Sequence, residues 1–274
     1  MSFTYLNRFC HMFAGCVLVC MASSAMASST WDFSSCVGTP ANQTGAGTFG
    51  NSWSCIDSSG GNNVTATGWG GADAGGSTGY QTANLSAWGG SGFGLASKYE
   101  AGGLTSGIAN VSDPNHAIDN SPTNVTPDLV LLQFQSAVAL ATVKTGWVSP
   151  VGGSDITLMA YNGTPPPTIQ AKFATNLAAG WALVENDAGA GTGVAGSRAV
   201  NATNVVSSWW LVSAYSSSFG AGTLDTTPDY FKLFSVASKD VTHANPTPEP
   251  SSFALMGVAL AGMVAVRRRK RSAT

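Results

Sequence analysis

Short apolar runs, each bounded by Gly, Pro, Asn or Asp, recur along the second half of the chain. They lie at residues 128–134, 138–143, 155–161, 181–184, 209–215 and 230–236. β-Branched and aromatic residues fill these runs, a composition typical of strands. In the last run Phe231 and Leu233 alternate with Lys232, which predicts a sheet with one buried and one solvated face. No stretch between residues 28 and 242 keeps a helical period, so the pattern predicts an all-β fold.

The first part of this region is rich in Gly, Ser, Thr and Asn, with aromatic residues set singly among them. Residues 63–67 and 94–99 fit brief strands between turns. A disordered tract is the alternative, but disordered segments are usually depleted in aromatic residues. Many short strands at this spacing predict a single β-sandwich, jelly-roll-like, over residues 28–242. We expect residues 186–203 to form a long mobile loop and residues 243–250 a linker.

The N-terminal segment has the parts of a secretory signal peptide. Arg8 precedes an apolar run at residues 9–22, and small residues then lead to Ala25-Met26-Ala27. This order predicts a signal peptide over residues 1–27, cleaved after Ala27. A permanent N-terminal anchor is the alternative, but the run is short and interrupted for a membrane span.

The C-terminal segment combines prolines, an apolar stretch and a basic cluster. Residues 251–266 carry no charge and, as a helix, would rise about 24 Å, a little under the thickness of a bilayer core. They are predicted to form a transmembrane helix. The basic tail at 267–274 resists translocation and is expected to stay cytoplasmic. Its charged residues are Arg267, Arg268, Arg269, Lys270 and Arg271. Pro248 and Pro250 keep the preceding backbone extended and open to a protease.

Pro248-Glu249-Pro250, the apolar stretch and the terminal basic cluster together resemble the PEP-CTERM sorting signal. The resemblance implies an exported protein of a Gram-negative bacterium that makes extracellular polysaccharide. It also implies an exosortase, an inner-membrane protease that cuts near the triplet, as the processing partner. A plain C-terminal anchor is the alternative reading.

Seven segments of the ectodomain resemble a subgroup of exosortase-dependent surface proteins, which implies a β-rich surface protein without an established activity. These segments are residues 116–120, 128–134, 146–147, 154–157, 180–181, 210–212 and 229–233.

Cysteine and charge usage agree with export. Once the signal peptide is removed, only Cys36 and Cys55 remain, and a pair in an exported domain predicts one disulfide. Residues 28–250 contain six basic and fourteen acidic residues, a net charge of −8. Such a domain has no basic patch with which to neutralise phosphates, which argues against nucleic acid as a partner.

One turn, at residues 112–120, gathers oxygen-bearing side chains. Asp113, Asn115, Asp119 and Asn120 are the types of ligand that Ca²⁺ prefers, and they form a candidate calcium site. The spacing is not that of an EF-hand loop. The alternative is that these side chains hydrogen-bond the backbone of their own turn. We expect no other cofactor.

Nothing in the sequence forms a recognisable catalytic set. His116 is the one histidine inside the predicted fold, no G-x-S-x-G motif accompanies it, and no pair of carboxylates stands out for glycoside hydrolysis. Trp69, Trp88 and Trp147 flank glycines and suit either core packing or the binding of a carbohydrate.

We therefore expect a non-enzymatic surface or matrix protein, exported by the Sec machinery, held in the inner membrane by its tail and then processed. The alternatives are a carbohydrate-binding module acting on exopolysaccharide and an extracellular hydrolase.

Overall fold

The computed structural model describes residues 28–38, 50–71, 79–97, 116–120, 126–169, 180–219, 224–225 and 227–239. These residues form fourteen strands and a few single 3₁₀ turns, without an α-helix. The all-β prediction is therefore confirmed. The strands are β1 (Thr30–Asp32), β2 (Val37–Gly38), β3 (Ser52–Ile56), β4 (Asn63–Gly71), β5 (Tyr80–Ala87), β6 (Phe93–Ala96), β7 (Ile118–Asp119), β8 (Leu129–Val138), β9 (Leu140–Val148), β10 (Ile156–Tyr161), β11 (Trp181–Asp187), β12 (Ser197–Ala199), β13 (Ser207–Ala214) and β14 (Tyr230–Ser238).

All of these strands pair antiparallel, and ten of them follow the order β11-β10-β13-β8-β4-β5-β6-β14-β9-β12. The short strands β1 and β7 also pair with β14, and β2 extends the sheet through β3. Strand β5 joins the two halves of the sheet. Its first half pairs with β4, from Tyr80 to Ala83, and its second half pairs with β6, from Asn84 to Ala87.

The core lies where the two halves of the sheet face each other. The Trp31 ring on β1 meets Phe134 on β8 edge-on at 4.7 Å, and Trp53 on β3 meets Phe93 on β6 at 5.4 Å. Phe33, beside β1, stacks on Phe93 at 4.9 Å. Full burial of such a ring stabilises the fold by about 1.5–3 kcal/mol relative to its exposure, so these contacts hold the halves together.

The first and last strands of the ectodomain close the sheet side by side. Thr30 pairs with Ala237, and the Ser238 amide donates to the Ser29 carbonyl at 2.9 Å. Beyond β14, Lys239 is held at both ends. Its amide donates to the Ala139 carbonyl at 2.8 Å, and its Nζ donates to the Asn201 carbonyl. Lys239, the last described residue, is therefore fixed to the fold through both its backbone and its side chain.

The disulfide predicted from the sequence is present. Cys36 and Cys55 are bonded, with their Cα atoms 4.5 Å apart. Cys36 immediately precedes β2, Cys55 lies on β3, and Val37 pairs with Ser54 between these two strands. Cys55 is buried in the core, so the bond fastens the β2–β3 hairpin to it.

Two local predictions are wrong. The expected loop at residues 186–203 is interrupted, because β12 pairs with β9 and places Arg198 opposite Val143. Arg198 there donates to the Ser154 carbonyl at 2.7 Å and to Asp187 at 3.4 Å. Lys232 does lie on the face opposite Phe231 and Leu233, but it is 4% exposed instead of solvated, because aromatic rings cover it.

The sequence-predicted membrane segments fall outside the described residues. This holds for the signal peptide with Ala25 and Ala27, the linker, and the tail from Pro248 onward. Within the ranges that the structure does describe, no helix has the length and apolar character needed to cross a membrane.

Candidate functional site

Four side chains form a layered stack on the outer face of β14 and β9. The Trp88 ring lies on His116 with the centroids 4.2 Å apart and the planes at 21°. The Lys232 ammonium lies 4.9 Å from the centroid of the Trp88 ring and 4.1 Å from the centroid of the Trp147 ring. An ammonium over an indole face is attracted by the ring quadrupole, and burial strengthens that attraction. We call this arrangement the tryptophan–lysine stack.

The sheet register and three glycines bring the stack together. Lys232 pairs directly with Trp147 across β14 and β9, which places their side chains next to each other on one face. Gly92 has φ +88°, and a Cβ there would collide with the Leu233 carbonyl. Gly94 and Gly146 allow similar close approaches to the backbone of His116 and Ser91. The loop that carries Trp88 can therefore lie flat against β14 and β9.

A second lysine–aromatic contact continues along the same face. The Lys144 ammonium lies 4.4 Å from the centroid of Phe234, which is a bulge residue in β14. Lys144 is exposed and has no ion pair with any residue in the described ranges. The outer face of β9 and β14 thus carries two lysines, both on aromatic rings.

The three tryptophans singled out from the sequence occupy different places. Trp88 is 40% exposed and Trp147 is partly buried, and both belong to the stack. Trp69 is partly buried on the other half of the sheet, where it packs against a separate apolar cluster. Its indole donates to the Thr67 hydroxyl at 3.3 Å. The structure brings Trp88 and Trp147 together and leaves Trp69 apart.

Carboxylates gather around Arg198 at the end of the sheet where β10 begins. Asp229 accepts the Asp155 amide at 2.6 Å and the Asn120 side-chain amide at 2.8 Å. Burial raises the pKa of Asp229 to about 8, against the lowering effect of the Asp155 amide. Burial likewise raises the pKa values of Asp155 and Asp187, although Arg198 acts in the opposite direction on both. Asp229 is 1% exposed, so its carboxylate is buried among its hydrogen-bond partners.

The candidate calcium turn is only partly within the described residues. Asp113 and Asn115 lie outside them. Asp119 is buried in β7 opposite Tyr230. The Asn120 side chain bonds Asp229 and donates to the Tyr215 carbonyl at 2.8 Å. Over the described ranges, no group of three or more His, Cys, Asp or Glu side chains is arranged to hold a metal ion.

Sequence reasoning missed both polar clusters. Lys232 was expected in solvent because a lysine in an alternating strand usually marks the solvated face. Asp155, Asp229 and Arg198 are far apart in the chain, and only the pairing of β12 with β9 and the parallel bridge between Gly153 and Asp229 bring them together. The alternation of Phe231, Lys232 and Leu233 correctly predicted the face of the sheet on which Lys232 lies, but it did not predict that Lys232 is buried.

Comparison with known families finds a match at the C-terminus. Residues 246–270 match the PEP-CTERM protein-sorting motif, which covers the proline triplet, the apolar stretch and most of the basic cluster. No curated protein and no solved structure matches the chain.

The chain is therefore an exported, β-rich protein that carries an exosortase sorting signal. It is a PEP-CTERM protein, and the motif implies export, transient anchoring in the membrane and processing by an exosortase.

Proposed function

We propose that this protein is a non-catalytic component of the cell surface or extracellular matrix. Its ectodomain is delivered as a folded β-sandwich and separated from its tail near Pro248-Glu249-Pro250. The observation that carries this proposal is the sorting motif at residues 246–270, which follows a fold whose last described residue, Lys239, is already anchored. Cleavage near the triplet leaves every described strand intact.

Each part of the tail has a separate physical task in this proposal. The Sec machinery threads the chain outward behind the signal peptide at residues 1–27. The apolar stretch at 251–266 stops in the inner membrane, and Arg267 to Arg271 stay on its cytoplasmic side because moving such a cluster across the bilayer is costly. Glu249 between its two prolines presents an extended strand to the exosortase.

In this proposal the carboxylate cluster around Arg198 has a structural role. Its most perturbed member, Asp229, is enclosed by hydrogen bonds from Asp155 and Asn120 and has almost no exposed surface. A general acid has to reach its substrate within hydrogen-bonding distance. The cluster therefore serves the packing of the loops, in our proposal, and not chemistry.

Glu249→Ala tests the sorting step. Export and folding should be unchanged, but the intact mass should show the uncut tail on the membrane-bound protein, because the recognised triplet has lost its charge. Asp240→Ala, which changes an acidic residue outside the matched motif, is the control and should mature like the wild type. Normal processing of Glu249→Ala would count against recognition through the triplet.

A second candidate function is carbohydrate binding by the ectodomain. The observation that favours it is the exposure of Trp88 beside Trp147 and Lys144 on one sheet face. Contiguous apolar surface rimmed by polar residues marks interaction sites, and partly exposed aromatic rings suit amphipathic ligands such as sugars.

A further inference from the structure

A single Asn-Gly pair occurs in the chain, at Asn162 and Gly163. It lies in the turn directly after β10, whose last residue is Tyr161, and both residues of the pair are exposed. Glycine has no side chain, so its backbone nitrogen is unhindered toward the side-chain amide of the asparagine before it. The pair is therefore the place in the sequence where an asparagine reacts most readily with its own backbone.

Most of the other described asparagines have side-chain amides held by hydrogen bonds. The Asn51 side chain donates to the Leu85 carbonyl at 3.0 Å and accepts the Leu85 amide at 2.8 Å. Asn62 holds the carbonyl and the amide of Ser136 in the same way. Four more asparagines accept hydrogen bonds through their side-chain oxygens: Asn120, Asn186, Asn201 and Asn204. An amide held in this way has to break these bonds before its carbon can be attacked.

The two remaining described asparagines are protected differently. Asn84 is 1% exposed. Asn63 precedes Val64, a buried β-branched residue whose bulk hinders its backbone nitrogen. Neither of them is followed by glycine.

The turn that carries Asn162 is held on both sides of the reacting groups but not at them. The Asn162 backbone amide donates to the Gly180 carbonyl at 3.0 Å, and the Tyr161 hydroxyl donates to the Thr164 carbonyl at 2.8 Å. The Tyr161 ring covers one side of Gly163, where a Cβ would lie 2.7 Å from its Cζ atom. Within the described ranges, neither the Asn162 side chain nor the Gly163 amide makes a hydrogen bond. The two groups that must meet are thus exposed and unprotected.

We propose that Asn162 is a site of spontaneous deamidation and isoaspartate formation in the folded protein. The Gly163 nitrogen attacks Cγ of Asn162 and forms a five-membered cyclic imide. The Cγ–Nδ2 bond breaks, and Nδ2 leaves as ammonia with the proton that the Gly163 nitrogen gives up. Water then opens the imide, at the side-chain carbonyl to give aspartate or at the backbone carbonyl to give isoaspartate. The reaction consumes one water molecule and changes no oxidation state.

The modification changes both charge and backbone at the end of β10. Either product adds one carboxylate to a region, residues 28–250, whose net charge is already −8. Isoaspartate also adds one carbon to the backbone path, directly after the amide that bonds Gly180 and beside the pairing of Tyr161 with Trp181. On a surface protein that persists after export, the modified fraction increases with age. This inference goes beyond the proposed function and needs neither the sorting step nor a ligand.

The test incubates the purified full chain in detergent micelles at neutral pH and follows each asparagine by peptide mass spectrometry. The peptide that contains Asn162 should gain about 1 Da, because an amide nitrogen is replaced by oxygen. Part of the product should be labelled by an isoaspartyl methyltransferase. The gain should be faster in mild alkali, because the deprotonated Gly163 nitrogen is the attacking group.

Asn51 is the internal control, since it is exposed to the same solution but held by two hydrogen bonds and followed by Ser52. It should deamidate about tenfold more slowly than Asn162, or slower still, because both bonds have to break first. Unfolding in urea should speed the reaction of Asn51 about tenfold and that of Asn162 less than about threefold, because Asn162 has no side-chain hydrogen bond to lose.

Asn162→Gln should abolish the mass gain over the same period, because glutamine has to close a six-membered imide, which forms slowly. Asn63→Gln, which changes another exposed asparagine, is the matched control and should age like the parent. Three outcomes overturn the proposal: Asn162 stays unmodified while a synthetic peptide of residues 158–168 deamidates, Asn51 reacts as fast as Asn162, or urea speeds both residues equally. Wild-type protein supplies all three readouts, so the test does not depend on the folding of a variant.

Discussion

The disulfide offers the sharpest test of how this ectodomain gains its stability. Cys36 and Cys55 are 19 residues apart in the chain, and their bond removes conformations from the unfolded ensemble. For a closed loop of this length the chain-entropy relation gives about 3 kcal/mol at 25 °C. Cys55 is buried in the core whereas Cys36 is partly exposed, so Cys36→Ala removes the crosslink with little loss of packing. We expect Cys36→Ala to lower the free energy of unfolding by about 3 kcal/mol.

Urea unfolding, followed by tryptophan fluorescence, measures this loss. The m-value should rise in Cys36→Ala because the uncrosslinked unfolded chain exposes more surface. A loss of about 3 kcal/mol corresponds to a fall in Tm of about 6–12 °C for a domain of this size. Wild-type protein in reductant should match Cys36→Ala, which serves as the internal control. Should oxidised and reduced wild type unfold within about 1 kcal/mol of each other, the unfolded-state argument fails.

Two further perturbations follow from the geometry. Gly92→Ala should destabilise the ectodomain by about 1–3 kcal/mol, because Gly92 has φ +88° and a Cβ there would collide with the Leu233 carbonyl. Gly90→Ala is the control and should be close to neutral, since a Cβ on Gly90 would meet open space. Equal urea midpoints for the two variants would contradict this prediction. The raised pKa of Asp229, about 8 against 3.8, means that its stabilising contribution is present below pH 4 and is lost as pH rises through 8. Wild-type stability should therefore fall over this interval, and Asp229→Asn should reduce the fall; identical pH profiles of the free energy of unfolding would refute the role of Asp229.

The strand positions could be predicted because their causes are local. Residues 128–134 and 155–161 lie in or beside β8 and β10 because β-branched and aromatic residues between turn-forming neighbours favour extended backbone. The disulfide could also be predicted from the sequence, since Cys36 and Cys55 are the two cysteines that remain once the predicted signal peptide is removed. The strand β12 was missed because Ser197, Arg198 and Ala199 have no apolar alternation, and their pairing depends on the edge of β9.

The sorting signal is the part of this protein that the sequence by itself determined. Its information lies in the order of the proline triplet, the apolar stretch and the basic cluster, which is a property of neighbouring residues along the chain. The candidate binding face was decided by tertiary structure alone. Trp88, Trp147 and Lys232 come from three distant segments, and they meet because the register of β14 against β9 and the glycines of the adjoining loop bring them within van der Waals reach. Long-range pairing is a property of the whole sheet, and no local pattern in the sequence contains it.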